Sequence, residues 1–213
     1  MASQHSDRGT VRAPEFPPDL AWLNASQPLT LANLRGRLVL LDFWTYGCIN
    51  CLHVIPDLQR LEHEFGDALV VIGVHSAKFA NEGEADNLRH IVQRYGISHP
   101  VVNDRGFAIW QAYAVRAWPT TVLISPEGRI IAQHSGEGVY DALHGPIATA
   151  IATHETRGTL QRGALLLAPE VMLPTALRFP GKVLADAASD RLYIADSGHN
   201  RVIVTTLTGR VLS

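Results

Sequence analysis

The hydrophobic period of this chain changes abruptly around its two cysteines, and that change limits the folds open to it. Arg37–Trp44 reads RLVLLDFW, a continuous apolar run broken by one acid, Asp42. Such a run suits a strand covered on both faces of a sheet. From Cys51 onward, Leu52, Ile55, Leu58, Leu61 and Phe65 recur at three- and four-residue steps, the spacing of a helix with one apolar face. A buried strand, a tight loop and an amphipathic helix make an α/β unit, and Cys48 and Cys51 lie at its hinge.

The pattern continues down the chain. ALVVIGVH (68–75) reads as a second strand, and 84–95 as a helix closed by Gly96. A short strand in HPVVND and a helix around FAIWQAY follow. TTVLIS, PEGR and IIAQHS then read as a β-hairpin. A last helix is expected within 139–155, with Pro146 kinking it or delaying its start. Strands alternating with helices imply a sheet with at least one right-handed parallel crossover. Residues 1–18 are polar and interrupted by Pro14, Pro17 and Pro18, which predicts a flexible arm before a domain at 19–156. The stretch 157–176 carries few regular signals and reads as a linker, with GALLLAPEVMLP an apolar bridge for the last segment to fold back on. From Leu177, the short runs KVLAD, RLYIAD and RVIVTT, split by turn residues, indicate a different, all-β segment at 177–213.

The cysteines restrict the chemistry. Haem attachment needs His directly after the second Cys, and Leu52 stands there. A zinc site needs further soft ligands at matching spacing; there is no third cysteine, and His53, His63 and His75 form no such pattern. A structural disulfide across two residues closes too small a loop to constrain the unfolded chain much. A working redox pair fits best. Cys48 at a helix N-terminus meets unpaired N–H groups and a dipole that stabilise a thiolate, while Cys51 lies one turn along and deeper. Neither a metal nor another cofactor is expected. With 18 Lys+Arg against 20 Asp+Glu, no electrostatic footprint for nucleic acid or an anionic membrane is present. No segment approaches the ~18 consecutive apolar residues of a membrane span. The N-terminal residues show no signal-peptide pattern, and with so few cysteines a cytoplasmic location is expected.

VLLDFWTYGCINC resembles the strand–loop–helix of the thioredoxin superfamily, with Asp42 at its buried-acid position, six residues before the first cysteine. Pro56 matches the family's helix-kinking proline, and Trp118-Pro119-Thr120-Thr121 its cis-proline loop. The long span from Val71 to Val115 resembles the insertion of the TlpA-like and peroxiredoxin-like branches. The resemblance implies a thioredoxin fold in which Cys48 attacks, Cys51 resolves and Asp42 relays a proton. Trp118, Pro119 and Thr120 would shape substrate binding. Three departures stand out. Gly47 replaces the family's Trp, Ile49-Asn50 replaces Gly-Pro, and Gly73 falls near the place of the Lys that often accompanies the buried acid. Thr45, three before Cys48, matches part of the peroxiredoxin T-x-x-C motif, but Leu41 stands where its Pro belongs.

Phe179–Arg201, with PGKV and ADSGHNR, resembles an NHL repeat, the blade unit of a β-propeller, in which Asp196, Asn200 and Arg201 would brace a turn. The combination resembles proteins joining a thioredoxin-like domain to NHL repeats. The implied function is thiol–disulfide exchange, with protein disulfides as substrates and a dithiol as reductant. Two alternatives remain open: a thiol peroxidase, and a scaffold whose propeller engages a protein partner.

Overall fold

In the computed structural model, residues 11–163, 165, 167, 168 and 175–213 are described. The chain divides into two units, between Glu170 and Val171. The first is built on a six-stranded sheet with spatial order β1-β4-β3-β2-β5-β6, from β1 (Trp22–Leu23), β2 (Leu38–Trp44), β3 (Leu69–His75), β4 (Val101–Asn103), β5 (Thr120–Ile124) and β6 (Ile130–Ser135). β2 and β3 pair in parallel, as do β3 and β4; β5 runs antiparallel to β2 and carries β6 by a hairpin. Helices α1 (Ile49–Phe65), α2 (Ala85–Arg94), α3 (Ala108–Ala112) and α4 (Val139–Thr156) complete the unit. This is the thioredoxin fold.

All seven residues of β2 are buried, which explains the unbroken apolar run. Val39, Leu41 and Phe43 join a cluster with Val70, Ile72, Ile109 and Tyr113. Leu38 and Leu40, facing the other way, meet Val54, Leu58 and Leu61 of α1 and Leu143 and Ile147 of α4. Trp44 lies in a third cluster with Cys51, Ile55, Leu88, Val92 and Val101. Because side chains alternate along a strand, Asp42 shares the face of Leu40 and Trp44, beneath the helices. α4 begins at Val139 and runs through Pro146, so the proline does not delay its start.

The expected N-terminal arm is corrected where the chain is described. Ala13 and Phe16 are buried. Ala13 N–H donates to Gly128 O (3.0 Å), and the Tyr113 hydroxyl donates to Pro14 O (2.7 Å). The Glu15 carboxylate accepts from the N–H groups of Leu31 (2.7 Å) and Ala32 (3.0 Å). Prolines suppress helix and ladder bonding, but they leave an extended chain free to bury one large ring. Residues 1–10 of that arm lie outside the described residues.

Part of the stretch read as a linker is fastened to the first unit. Gln161 N–H donates to Gly36 O (2.6 Å), Gly163 N–H to Asp67 O (3.0 Å), and the Arg162 guanidinium binds Asp67 and Glu155. Of the apolar bridge, residues 164, 166 and 169–174 lie outside the described residues.

The second unit is a three-stranded antiparallel sheet of β7 (Pro180–Asp186), β8 (Arg191–Asp196) and β9 (Arg201–Thr205). Asp196, fully buried, accepts from Arg178 N–H (2.6 Å), His199 Nδ1 (2.7 Å) and Arg201 Nε (2.8 Å). Desolvation pushes its pKa up, but these donors outweigh it and hold the carboxyl at about 2. Asn200 takes the left-handed backbone region at φ 51°. Val183, Leu184 and Val202 are exposed. Among the described residues, no helix is long and apolar enough to cross a membrane.

Phe16→Ala should lower the unfolding free energy by about 3 kcal/mol, the usual cost of truncating a buried aromatic side chain. Urea unfolding checks this; an unchanged midpoint would mean that this segment does not hold the fold.

Candidate active site

The site forms where the sheet ends and α1 begins. Thr45, Tyr46 and Gly47 link Trp44 to Cys48, which caps the helix with an extended backbone (φ −115°, ψ 111°). Cys48 N–H donates to Thr45 O (3.2 Å); the Cys48 carbonyl accepts from Cys51 N–H (3.1 Å) and Leu52 N–H (3.3 Å). Both cysteines are free thiols, Cys48 half-buried and Cys51 buried. Solvent access thus separates the two sulfurs, as their order in the helix predicts. Burial pushes the Cys51 thiol pKa well up, and its hydrogen bond to Cys48 and the nearby Asp42 carboxyl push the same way.

Asp42 is 3 % exposed, and its Oδ1 is buried with no hydrogen-bond partner. Desolvation lifts its pKa from 3.8 to about 7, against an opposing pull from His99. The carboxyl can therefore hold or release a proton near neutrality.

The Trp118–Pro119 peptide is cis. Trp118, like Cys48, packs against the cluster that contains Cys51, and its ring stands 4.5 Å from that of Trp110 and 6.2 Å from that of Phe107. Half-buried, these three rings make an apolar ledge beside the site. Thr120 is placed differently from a substrate contact: it is buried, and its hydroxyl donates to Ala117 O (2.8 Å) and pairs with Ser135 Oγ (2.9 Å). Its side chain fixes the loop to the sheet.

Three residues that sequence reading did not place in the site are central to it. Glu82, 2 % exposed on the 3-10 turn Ala80–Gly83, accepts from the Thr45 hydroxyl and from Lys78 N–H (3.0 Å). A methyl group at residue 47 would collide with Glu82 Oε1, so the carboxylate occupies the space a side chain there would need. This explains Gly47. His75 ends β3 fully buried, its ring 5.0 Å from that of Trp44 and stacked at 5.5 Å on that of Tyr46. Burial brings its pKa from 6.5 down to about 4, opposed by the Asn103 side chain. His99 reaches the site from the approach to β4. Glu82 carries no sequence signal beyond an acid in a loop, since long-range contact alone brings it to Gly47. The buried end of an apolar strand was a usable sign for His75.

The fold, the cysteine pair capping α1 and the cis-proline loop define a thioredoxin-like protein. The thioredoxin-like family model matches residues 36–130, and the chain belongs to the thioredoxin-like family. It is 43 % identical over 206 residues to NHL repeat-containing protein 2 of Homo sapiens, a match covering 94 % of this chain but 28 % of that protein. It is 34 % identical over 133 residues to the thiol-disulfide oxidoreductase ResA of Halalkalibacterium halodurans, covering 62 % of this chain and 73 % of that one. The crystal structure of a thioredoxin-like superfamily protein, 28 % identical, superposes with a TM-score of 0.62 over 67 % of this chain and 97 % of that one. The chain thus spans less than a third of the length of its human relative.

Asp42 and His75 give opposite slopes of stability against pH. Between pH 3.8 and about 7 the folded chain keeps an Asp42 proton that the unfolded chain releases. Stability therefore falls as pH rises through that window, by on the order of 4 kcal/mol in full. Between pH 6.5 and about 4 the unfolded chain protonates His75 while the folded chain does not, so stability falls as pH drops. Asp42→Asn should unmask the His75 slope and exceed the wild type in stability by a few kcal/mol at pH 8. Urea unfolding across pH 4.5–8 reads both effects; a variant no more stable than wild type at pH 8 would contradict a raised Asp42 pKa.

Proposed function

We propose that this chain is a thiol–disulfide oxidoreductase that exchanges disulfides in protein substrates through Cys48 and Cys51. The single observation that carries the reading is the unequal setting of two free thiols on one helical turn, the outer one reachable and the inner one buried beside Asp42. The Cys48 thiolate attacks a substrate disulfide; its S–S bond breaks and the first substrate sulfur leaves with the electron pair. Cys51 then gives its proton to the Asp42 carboxylate and attacks the Cys48 sulfur. The second substrate thiolate departs, and the Cys48–Cys51 disulfide holds the oxidising equivalents. A dithiol reductant restores the pair by the reverse sequence. The Trp118 and Phe107 rings beside the cis-proline loop and the exposed Ile49 give an extended peptide an apolar surface next to Cys48. We assign 177–213 to an NHL-type propeller blade on the PGKV and ADSGHNR motifs and the Asp196–Arg201 clamp, and place a protein partner on that propeller.

A peroxidase reading draws on Thr45, yet the hydroxyl of Thr45 is committed to Glu82 rather than to a peroxide. A scaffold reading makes the cysteines dispensable.

Iodoacetamide should alkylate Cys48 faster than Cys51 by roughly tenfold or more. Cys48→Ser should abolish insulin reduction, and Cys51→Ser should accumulate a mixed disulfide on Cys48. Peptide mass spectrometry and insulin turnover check these outcomes. Equal alkylation of the two thiols, or full turnover by Cys48→Ser, would defeat the oxidoreductase reading.

A further inference from the structure

Asp42 pairs in register with Gly73 of the neighbouring strand. A methyl group at Gly73 would stand 2.9 Å from Trp44 Nε1 and 3.5 Å from His99 Nε2. The Val101 side chain would stand 3.2 Å away, so it is the lack of a side chain at Gly73 that lets these groups, two of them ring nitrogens, close in beside Asp42. Trp44 Nε1, like Asp42 Oδ1, is buried there without a hydrogen-bond partner. The Lys that the family often places near its buried acid is missing, and the titratable group that reaches this place from the approach to β4 is an imidazole.

His99 is 3 % exposed, and its other ring nitrogen, Nδ1, lies 3.2 Å from Glu62 Oε2. The turn presenting it is fixed by the Asn24 side-chain amide, which donates to Ile97 O (2.8 Å) and His99 O (2.9 Å). With Nδ1–H donated to Glu62, Nε2 carries the lone pair on the Asp42 side. The Glu62 side chain is 23 % exposed. Glu62 and His99 line a cavity of about 230 Å³ together with Gly66, Leu69, Val71 and Pro100. Asp42 and His99 are equally buried, and exposure to solvent begins at Glu62. The cavity lies at the C-terminal end of α1 and Cys48 caps its N-terminal end, roughly 25 Å away along the helix. The titratable groups facing Asp42 are Cys51 from α1 and His99 from the approach to β4; β3 contributes Gly73, β5 Thr121 and α2 the apolar Leu88 and Val92.

We infer that His99 and Glu62 form the route by which Asp42 exchanges its proton with solvent, opening at the end of α1 opposite the cysteines. This rests on the reading that Asp42 serves Cys51. When the mixed disulfide resolves, the Cys51 proton passes to Asp42, the Cys51–Cys48 bond forms, and the substrate sulfur leaves with its electron pair. Asp42 then gives the proton to His99 Nε2, and His99 releases Nδ1–H to Glu62 and water. Reduction runs the same path inward. A protein substrate seated over Cys48 blocks the front of the site, and the rear route stays open.

Stopped-flow reaction of the reduced chain with 5,5′-dithiobis(2-nitrobenzoate) tests this. The first phase of thionitrobenzoate release reports attack by Cys48, the second resolution by Cys51. His99→Ala should leave the first phase unchanged and slow the second about tenfold or more at pH 7. Imidazole added to the solution should restore it. Glu62→Gln, a half-buried change that spares the core, should slow the second phase less and move its pH midpoint downward, because a negative charge beside the relay is lost. Second phases in both variants that match wild type in rate and midpoint would overturn the route. So would a slowed phase in His99→Ala that imidazole leaves unchanged. If His99→Ala does not fold, the Glu62→Gln midpoint decides alone. A wild type without a second phase would defeat the redox reading of the pair, and the route with it.

Discussion

The structure turns on a carboxyl held in a strand that water does not reach. β2 is covered on both faces, so every residue in it is apolar except Asp42, and Asp42 is desolvated by the packing that makes β2 the centre of the sheet. The same burial that raises the Asp42 pKa to about 7 raises that of Cys51, because both groups share one apolar face with Trp44 and Val101. The core and the chemistry are therefore one problem: packing that stabilises the fold also sets the proton affinity of the site.

Around that carboxyl the surroundings divide the labour. Helix α1 places one sulfur at its capping position and the other a turn inside, which separates access from storage of the proton. Glu82 pins the loop before Cys48 by holding Thr45 and filling the space over Gly47. His75, neutral through burial, supports Trp44 and Tyr46 from below. The contacts that Glu82 and His75 make with this loop are not local in sequence.

That distinction explains what could be read from the residues alone. The change from a continuous apolar run to three- and four-residue steps located β2, α1 and the cysteine pair, because period and spacing are local properties. The acid inside the run pointed to Asp42 for the same reason. The N-terminal segment departs from the expected arm because three prolines dominate its local signal, whereas Phe16 joins a core cluster that includes Val122 and Ile124, far along the chain. Thr120 belongs to the matched motif, yet its hydroxyl serves Ser135 on the next strand, which only the hairpin register brings opposite. Glu82 and His99 carry no periodic signature, and only the three-dimensional path of the chain between β3 and β4 brings them to the site.

Proton exchange at the site requires that Asp42 titrate near neutral pH in the fold. Infrared difference spectroscopy of the reduced chain, wild type minus Asp42→Asn, follows the carboxylic acid C=O band of this one residue against pH. The band should persist through pH 6 and disappear with a midpoint near 7. A midpoint near the ordinary 3.8 would mean that burial does not set the charge of this group, and the coupling of packing to the proton affinity of the site would be contradicted.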